Sequence, residues 1–361
     1  MPKIGMLVRI SLAVAAAAAI ATVAVSAAGA ARTSTTLKGA GSTFVQPLIN
    51  AWTQLPSPSG SPFTTATGIN VTYGGGGSGA GVTGITNKTV DFGASDAPLT
   101  AFSPTCTTCI QTPWGLSGTA VIYRIDGVTK TLNMSGSVLA DIYLHKITFW
   151  DNKAIKALNK GVKIPHTAIE TVVRDSASGT TYNFSDYLAA SSSSFKHVIG
   201  PANVLPPWSN VKTGSYVAKH GSSGVAGEVA ATNGAVGYVD VYYGITAHHK
   251  FMSIQNKVGR FIQPTLPAIL AAAQLQTKPK ADGSLSIVNP PNTGKYKGAY
   301  AISTYTYVDV QQHSGANASA LKSFLSWAVT SGQHYATKNY FVPLPSKIVT
   351  FDKKQIAKIK P

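Results

Sequence analysis

Three short stretches of the sequence share one design: a β-rich run, a cluster of Gly, Ser and Thr, then a helical run. They are GAGSTF (39–44), GGGGSGAGV (74–82) and RDSASGTT (174–181). The start of a helix exposes unpaired N–H groups and the positive end of its dipole. Glycines let such a backbone come close to an oxyanion, and the hydroxyls of Thr43, Ser78, Ser178 and Thr180 add donors. Taken singly, a Ser or Thr here reads as a helix N-cap. Three such corners in one chain point instead to a shared anion held from several walls.

Two charged residues sharpen that expectation. Arg174 ends a predicted strand directly before the third corner, where its planar guanidinium suits a tetrahedral oxyanion. The alternative is a surface ion pair with Asp175. Asp96, in DFGASDAPL, reads in isolation as a turn cap. Beside an anion it would accept a hydrogen bond from a protonated ligand oxygen. Phosphate carries a proton at neutral pH and sulfate does not, so an ionised Asp in a closed site accepts from one and opposes the other. Donor corners, one Arg and one acceptor describe a phosphate-selective receptor.

Catalytic signatures are missing from the same stretches. Gly74-x-Gly76-x-x-Gly79 meets the dinucleotide spacing formally, but four consecutive glycines satisfy many patterns. GxSxG fails at Ala80, and neither GxxxxGK[ST] nor HExxH occurs. The adjacent His248 and His249 have no ligand spacing. No enzyme activity, metal or cofactor is expected.

The surrounding elements alternate short β-rich runs with amphipathic helical runs, an α/β pattern. FVQPLINAWTQL places Phe44, Leu48, Ile49 and Trp52 on one helical face. Strands are expected within 89–99, at 118–127, at the start of 170–191 and over 234–244, with a late helix over 320–333 closed by Gly332. Residues 1–30 read as an export signal, with Lys3 and Arg9 before an Ala-rich run and small residues at Ala28-Gly29-Ala30. An uncleaved anchor is the alternative, and no lipobox Cys follows the run. For an exported chain with no second Cys pair, Cys106 and Cys109 read as a loop-spanning disulfide ahead of a redox pair or half a zinc site. The net charge of +17 is spread over dispersed Lys without aromatic interleaving, which argues against nucleic acid and suits an anionic envelope or an anionic ligand.

The stretches LKGAGSTFVQPLINAW, VTYGGGGSGAGVTGITNKTVDFGASDAPLT and VVRDSASGTTYNFSDYL resemble the phosphate-binding proteins of the high-affinity phosphate ABC transporter. LADIYLHKITFWDNKAIKALNKGVKIP, GAVGYVDVYYG and LKSFLSWAVTSGQ extend the resemblance over nearly all of the chain beyond the leader. It implies a type II periplasmic-binding-protein fold with two lobes, each a mixed sheet flanked by helices, and the ligand in the cleft between. One lobe would take residues 31–115 and 246–361, the other 116–245, with crossings near 113–120 and 236–248. The family pattern carries inorganic phosphate onto Thr43, Phe44, Ser78, Asp96, Arg174, Ser178, Gly179 and Thr180. It also implies a monomeric, exported, non-enzymatic receptor partnered by ABC permease subunits. The alternatives are a binder of sulfate, molybdate or tungstate, an exported phosphatase, or an envelope-associated protein. Two departures stand out: the family's Arg-x-Asp is here Arg174-Asp175-Ser176, which moves the Asp by one residue, and the lipobox Cys common in Gram-positive relatives is missing. The CxxC is not a general family feature.

Overall fold

A computed structural model describes residues 35–53, 61–274 and 276–361. The expected export signal lies outside the described residues. From β1 (Thr36–Gly41) the chain runs through α1 (Gln46–Thr53), α2 (Pro62–Thr67), β2 (Asn70–Gly74), α3 (Ser78–Thr86) and β3 (Phe92–Ser95). It then enters the long strand β4 (Cys109–Tyr123), followed by β5 (Asn133–Met134), α4 (Gly136–Tyr143) and α5 (Lys153–Leu158). Next come β6 (Glu170–Arg174), α6 (Gly179–Ser191), α7 (Ser193–Val198), β7 (Tyr216–Lys219), α8 (Gly221–Ala231), β8 (Ala235–Asp240) and α9 (Val241–Thr246). The last part holds β9 (Lys250–Phe251), β10 (Ser253–Gln255), β11 (Phe261–Ile262), α10 (Leu266–Ala273), β12 (Ser303–Gln311), α11 (Ala318–Ala328) and α12 (Ser346–Ala357).

The strands join in the order β2-β1-β3-β12-β4-β8-β6-β7, with β9 also on β4 and a separate small sheet β11-β10-β5. β4 belongs to both ends of this array. Residues 109–118 pair antiparallel with β12, and Thr119–Tyr123 pair antiparallel with β8. β1 lies parallel to β2 and β3 on one side, and β6 lies parallel to β7 and β8 on the other. Parallel strands end on the same edge, so each set delivers its helix-start corners together. In open α/β sheets, ligands bind outside these carboxyl ends.

Separate aromatic clusters anchor the two sets. On the β1 side, Trp52 of α1 meets Trp114 at 5.4 Å, and Phe92 meets Phe324 at 5.3 Å. On the β6 side, Phe184 of α6 stacks on Tyr238 at 4.2 Å and meets Tyr143 at 4.8 Å. Each such pair contributes about 0.5–1.5 kcal/mol beyond its burial. Trp52 holds α1 by its far end and Phe184 holds α6 by its middle, beyond the first turns that form the corners. β9 and β10 hydrogen-bond to Ile122–Tyr123 and Asn133–Met134, which attaches residues 250–255 to the β8 side.

Two expected elements end early. The strand expected over 234–244 stops at Asp240, because Asp240 Oδ1 accepts the Tyr243 N–H at 3.4 Å and starts α9. The helix expected over 320–333 stops at Ala328, and Gly332 lies in a following 3-10 turn whose carbonyl accepts Trp52 Nε1–H at 2.9 Å. Cys106 and Cys109 are joined in a disulfide that ties the preceding loop to the first residue of β4.

Candidate functional site

Asp96 lies at the end of β3 and is 1% exposed. Ser42, at the end of β1, places its hydroxyl 2.7 Å from Oδ1 and 2.6 Å from Oδ2 of Asp96. Ser78, the first residue of α3, donates to Oδ2 at 3.4 Å and accepts the Gly179 N–H at 3.0 Å. That second bond crosses from the β1 side to the first residue of α6. Gly179 has to be Gly: a Cβ there would stand 2.6 Å from the Asp96 backbone N and C. The GGGG run has a comparable reason. Gly77 is the N-cap of α3 at φ +88°, a backbone that L side chains rarely adopt, and a Cβ would come within 3.1 Å of Arg174 Nη2.

Arg174 closes β6 and is only 4% exposed. Its Nη1 donates to Ser178 Oγ at 2.9 Å, while Nε and Nη2 are buried with no hydrogen-bond partner among the described residues. Ser178 caps α6 by accepting the Thr181 N–H at 3.3 Å, so both of its bonds are as acceptor and its own hydrogen is left to donate. The Oγ1 of Thr180 is also buried without a partner. Among the described residues Arg174 forms no ion pair with Asp175, which meets His220 Nδ1 instead at 3.3 Å on an exposed face. The ion-pair alternative for Arg174 therefore gives way to a buried cation facing the cleft.

The β1 corner also reaches across. Thr43 Oγ1 accepts the Ser222 N–H at 3.2 Å and lies 3.3 Å from Ser222 Oγ, at the start of α8. Phe44 is fully buried edge-on to Phe341 at 6.1 Å, and its N–H donates to Ser42 Oγ at 3.0 Å. All eight expected residues thus gather where the carboxyl ends of the two parallel sets meet. Thr43, Ser78, Asp96, Arg174, Ser178 and Thr180 are all buried there.

Burial dominates the electrostatics. It raises Asp96 to about 6, against the opposing pull of Ser42, Thr306, Arg174 and Ser78. It lowers Arg174 from the ordinary guanidinium value, while Tyr238, Asp96, Asp175 and Asp240 draw it back up. An arginine keeps its proton in any protein environment, so Arg174 remains the fixed cation of the cleft. Burial also raises Asp240 well above the carboxylate range. No group of three His, Cys, Asp or Glu suited to a metal ion occurs among the described residues.

Ser42, Ser222, Tyr238 and Asp240 were not picked out in the sequence. Ser222 had a signal: AKHGSSGVAGEVA is a fourth strand, Gly/Ser, helix corner of the same design, formed by β7 and α8. Ser42 belongs to the corner GAGSTF (39–44), directly before Thr43. Tyr238, which accepts the Arg174 N–H at 3.3 Å and lies 2.9 Å from Thr181 Oγ1, gives no local signal at all.

Residues 26–331 match the PBP superfamily domain. The phosphate-binding protein PstS of Xylella fastidiosa (strain 9a5c) is 32% identical over 318 residues, spanning 88% of this chain and 83% of that protein. PstS of Pasteurella multocida (strain Pm70) is 31% identical, with 87% of this chain and 88% of that protein covered. Two solved structures share the fold. One is a high affinity periplasmic phosphate-binding protein (PfluDING) bound with phosphate, with a TM-score of 0.65 at 21% identity over 88% of this chain and 93% of that chain. The other is a DING protein, with a TM-score of 0.67 at 19% identity over the same shares, 88% and 93%. The architecture is the two-lobed fold of the periplasmic binding proteins. Within that class, the chain belongs to the PstS family of phosphate-binding proteins.

Proposed function

We propose that this protein is an exported receptor that captures inorganic phosphate between two lobes and delivers it to the permease of an ABC transporter. One observation carries this reading: a buried guanidinium with two unpartnered nitrogens beside a buried carboxylate, at the meeting point of several helix starts. Arg174 and the hydroxyls of Thr43, Ser178 and Thr180 supply donors, and the Ser78 hydroxyl turns from Asp96 to the anion when it enters. Phe44 contributes backbone at the first corner, and Gly179 lets α6 approach. Asp96 accepts the ligand's proton. Several charge-assisted bonds of about 1.5–3 kcal/mol each offset the cost of stripping water from the anion. Micromolar binding requires about −8 kcal/mol net, which this donor set can supply.

The first lobe holds β1, β2, β3 and β12, and the second holds β6, β7 and β8, with β4 running through both. Residues 119–262 form the second lobe, a later return than the boundary at residue 246 read from the sequence. The pairing of β9 with β4 and of β10 with β5 and β11 supports the later boundary. Closure is a hinge motion of these lobes, and the permease reads the closed form. The protein works as a monomer and leaves its ligand chemically unchanged.

Titration calorimetry of the purified protein with phosphate and with sulfate tests the assignment. Saturable heat at one phosphate per chain, with none from sulfate, is the expected result. Heat from sulfate and none from phosphate would overturn it.

A further inference from the structure

Helix α8 begins without a side-chain cap of its own. His220 occupies the N-cap position with φ −81° and ψ 130°, the extended backbone of a cap, yet makes no side-chain cap hydrogen bond. Its ring turns outward to Asp175. A helix start leaves its first N–H groups unpaired, and burying them unpaired is costly. The N–H of Ser222, second residue of α8, finds its acceptor on the other lobe, in Thr43 Oγ1 at 3.2 Å. Ser222 is 1% exposed, and its own hydroxyl lies 3.3 Å from the same oxygen.

We propose that Thr43 caps helix α8 across the cleft, which makes Ser222 a positioning residue that couples lobe closure to ligand capture. The inference rests on the phosphate-receptor reading for its ligand. Thr43 Oγ1 takes the Ser222 N–H as acceptor, and this leaves the Thr43 hydroxyl hydrogen free to turn toward the anion. One side chain thereby serves the ligand and the opposite helix together. When the lobes part, α8 loses the side-chain cap it has from Thr43, and Thr43 loses the contact that fixes its rotamer. Closure gains a bond that the open form lacks, and the ligand meets a donor already oriented.

The arrangement has a distinctive consequence. A cap supplied from within α8 should weaken capture while strengthening the fold, since the open form then no longer lacks anything. His220→Ser provides such a cap at an exposed position with suitable backbone angles. Phosphate titration calorimetry and thermal melts of phosphate-free protein are measured on wild type, His220→Ser, Ser222→Ala, Thr43→Val and the Thr43→Val/His220→Ser pair. For His220→Ser the expected result is a higher melting temperature with phosphate affinity down about fivefold. Ser222→Ala keeps the capped N–H and loses only the hydroxyl 3.3 Å from Thr43 Oγ1, so it should change affinity less than His220→Ser does. His220→Ser should have no further effect on affinity in Thr43→Val, where the trans acceptor is gone. Unchanged affinity in His220→Ser, or equal effects of His220→Ser in wild type and in Thr43→Val, would overturn the trans-cap. Failure of wild type to bind phosphate would refute the functional reading instead, so the two failures are distinguishable.

Discussion

The hydroxyl of Ser42 straddles the carboxylate of Asp96, 2.7 Å from one oxygen and 2.6 Å from the other. With Ser78 on Oδ2 and the backbone carbonyl of Asp96 held by Asn183 Nδ2 at 2.8 Å, the residue is fixed from both lobes. A single hydroxyl hydrogen serves one oxygen at a time, so the carboxylate keeps lone pairs for a guest that carries a proton. On the proposed function, this geometry suits Asp96 to act as the selector.

Asp96→Asn should therefore admit sulfate. The amide donates where the carboxylate only accepts, which removes the acceptor-to-acceptor clash that costs a fully deprotonated anion several kcal/mol. Sulfate affinity should rise at least tenfold relative to phosphate in competitive titration. Unchanged selectivity would remove Asp96 from that role.

Acidity should stabilise the phosphate-free protein. Burial raises Asp96 to about 6 and Asp309 to about 7, both above their unfolded values. A carboxyl whose folded pKa is raised favours the fold while protonated. That contribution is complete below about pH 4 and is lost as pH rises through about 6 to about 7. For Asp96 the shift of about two units corresponds to about 3 kcal/mol. The melting temperature should climb as pH falls from about 7.5 to about 4.5, and Asp96→Asn should flatten the slope. A profile that falls over this window would contradict the burial argument.

Arg174→Lys is not a conservative change here. A point charge cannot keep the Ser178 bond and also present the two further nitrogens that now lack partners. Phosphate affinity should drop at least thirtyfold, in line with about 2–5 kcal/mol for truncating a buried charged contact. Circular dichroism should remain native-like. Retention of tight binding would mean that the helix starts alone hold the anion.

Gly179→Ala should prop the cleft open. The added methyl would meet the Asp96 backbone at 2.6 Å, and that backbone, whose carbonyl is held by Asn183 Nδ2 at 2.8 Å, cannot yield as a side chain tip would. Small-angle scattering should show the phosphate-induced compaction of wild type absent or reduced in the variant. Equal compaction in both would show that the lobes meet less tightly than the crossing bonds indicate.

The small-residue corners are more legible in the sequence than the central strands. The Gly/Ser corners and Asp96 are local signals, because the backbone shape that binds an anion has to be written in small residues at the point of contact. The central strands are written less plainly. All nine residues of β12 are buried, and Thr304, Thr306 and Asp309 among them interrupt the apolar run that would mark a core strand. The first half of β4 contains Pro113, a residue that argues against an interior strand. The ladder accommodates it with a register shift opposite Thr306 and Tyr307. Ser222 and Tyr238 reach the site through tertiary packing, which no spacing along the chain encodes.

β4 changes partners between Gly118 and Thr119 without a break in the strand. On the hinge reading, a rotation placed at that junction behaves as a bearing: the ladders on either side turn as finished plates, and no rung between strands has to be broken. The work of opening is then confined to a few backbone torsions and to the bonds across the cleft. Amide exchange along β12 and β8 should be indifferent to phosphate, while the corner amides of Gly79, Gly179 and Ser222 register every stroke.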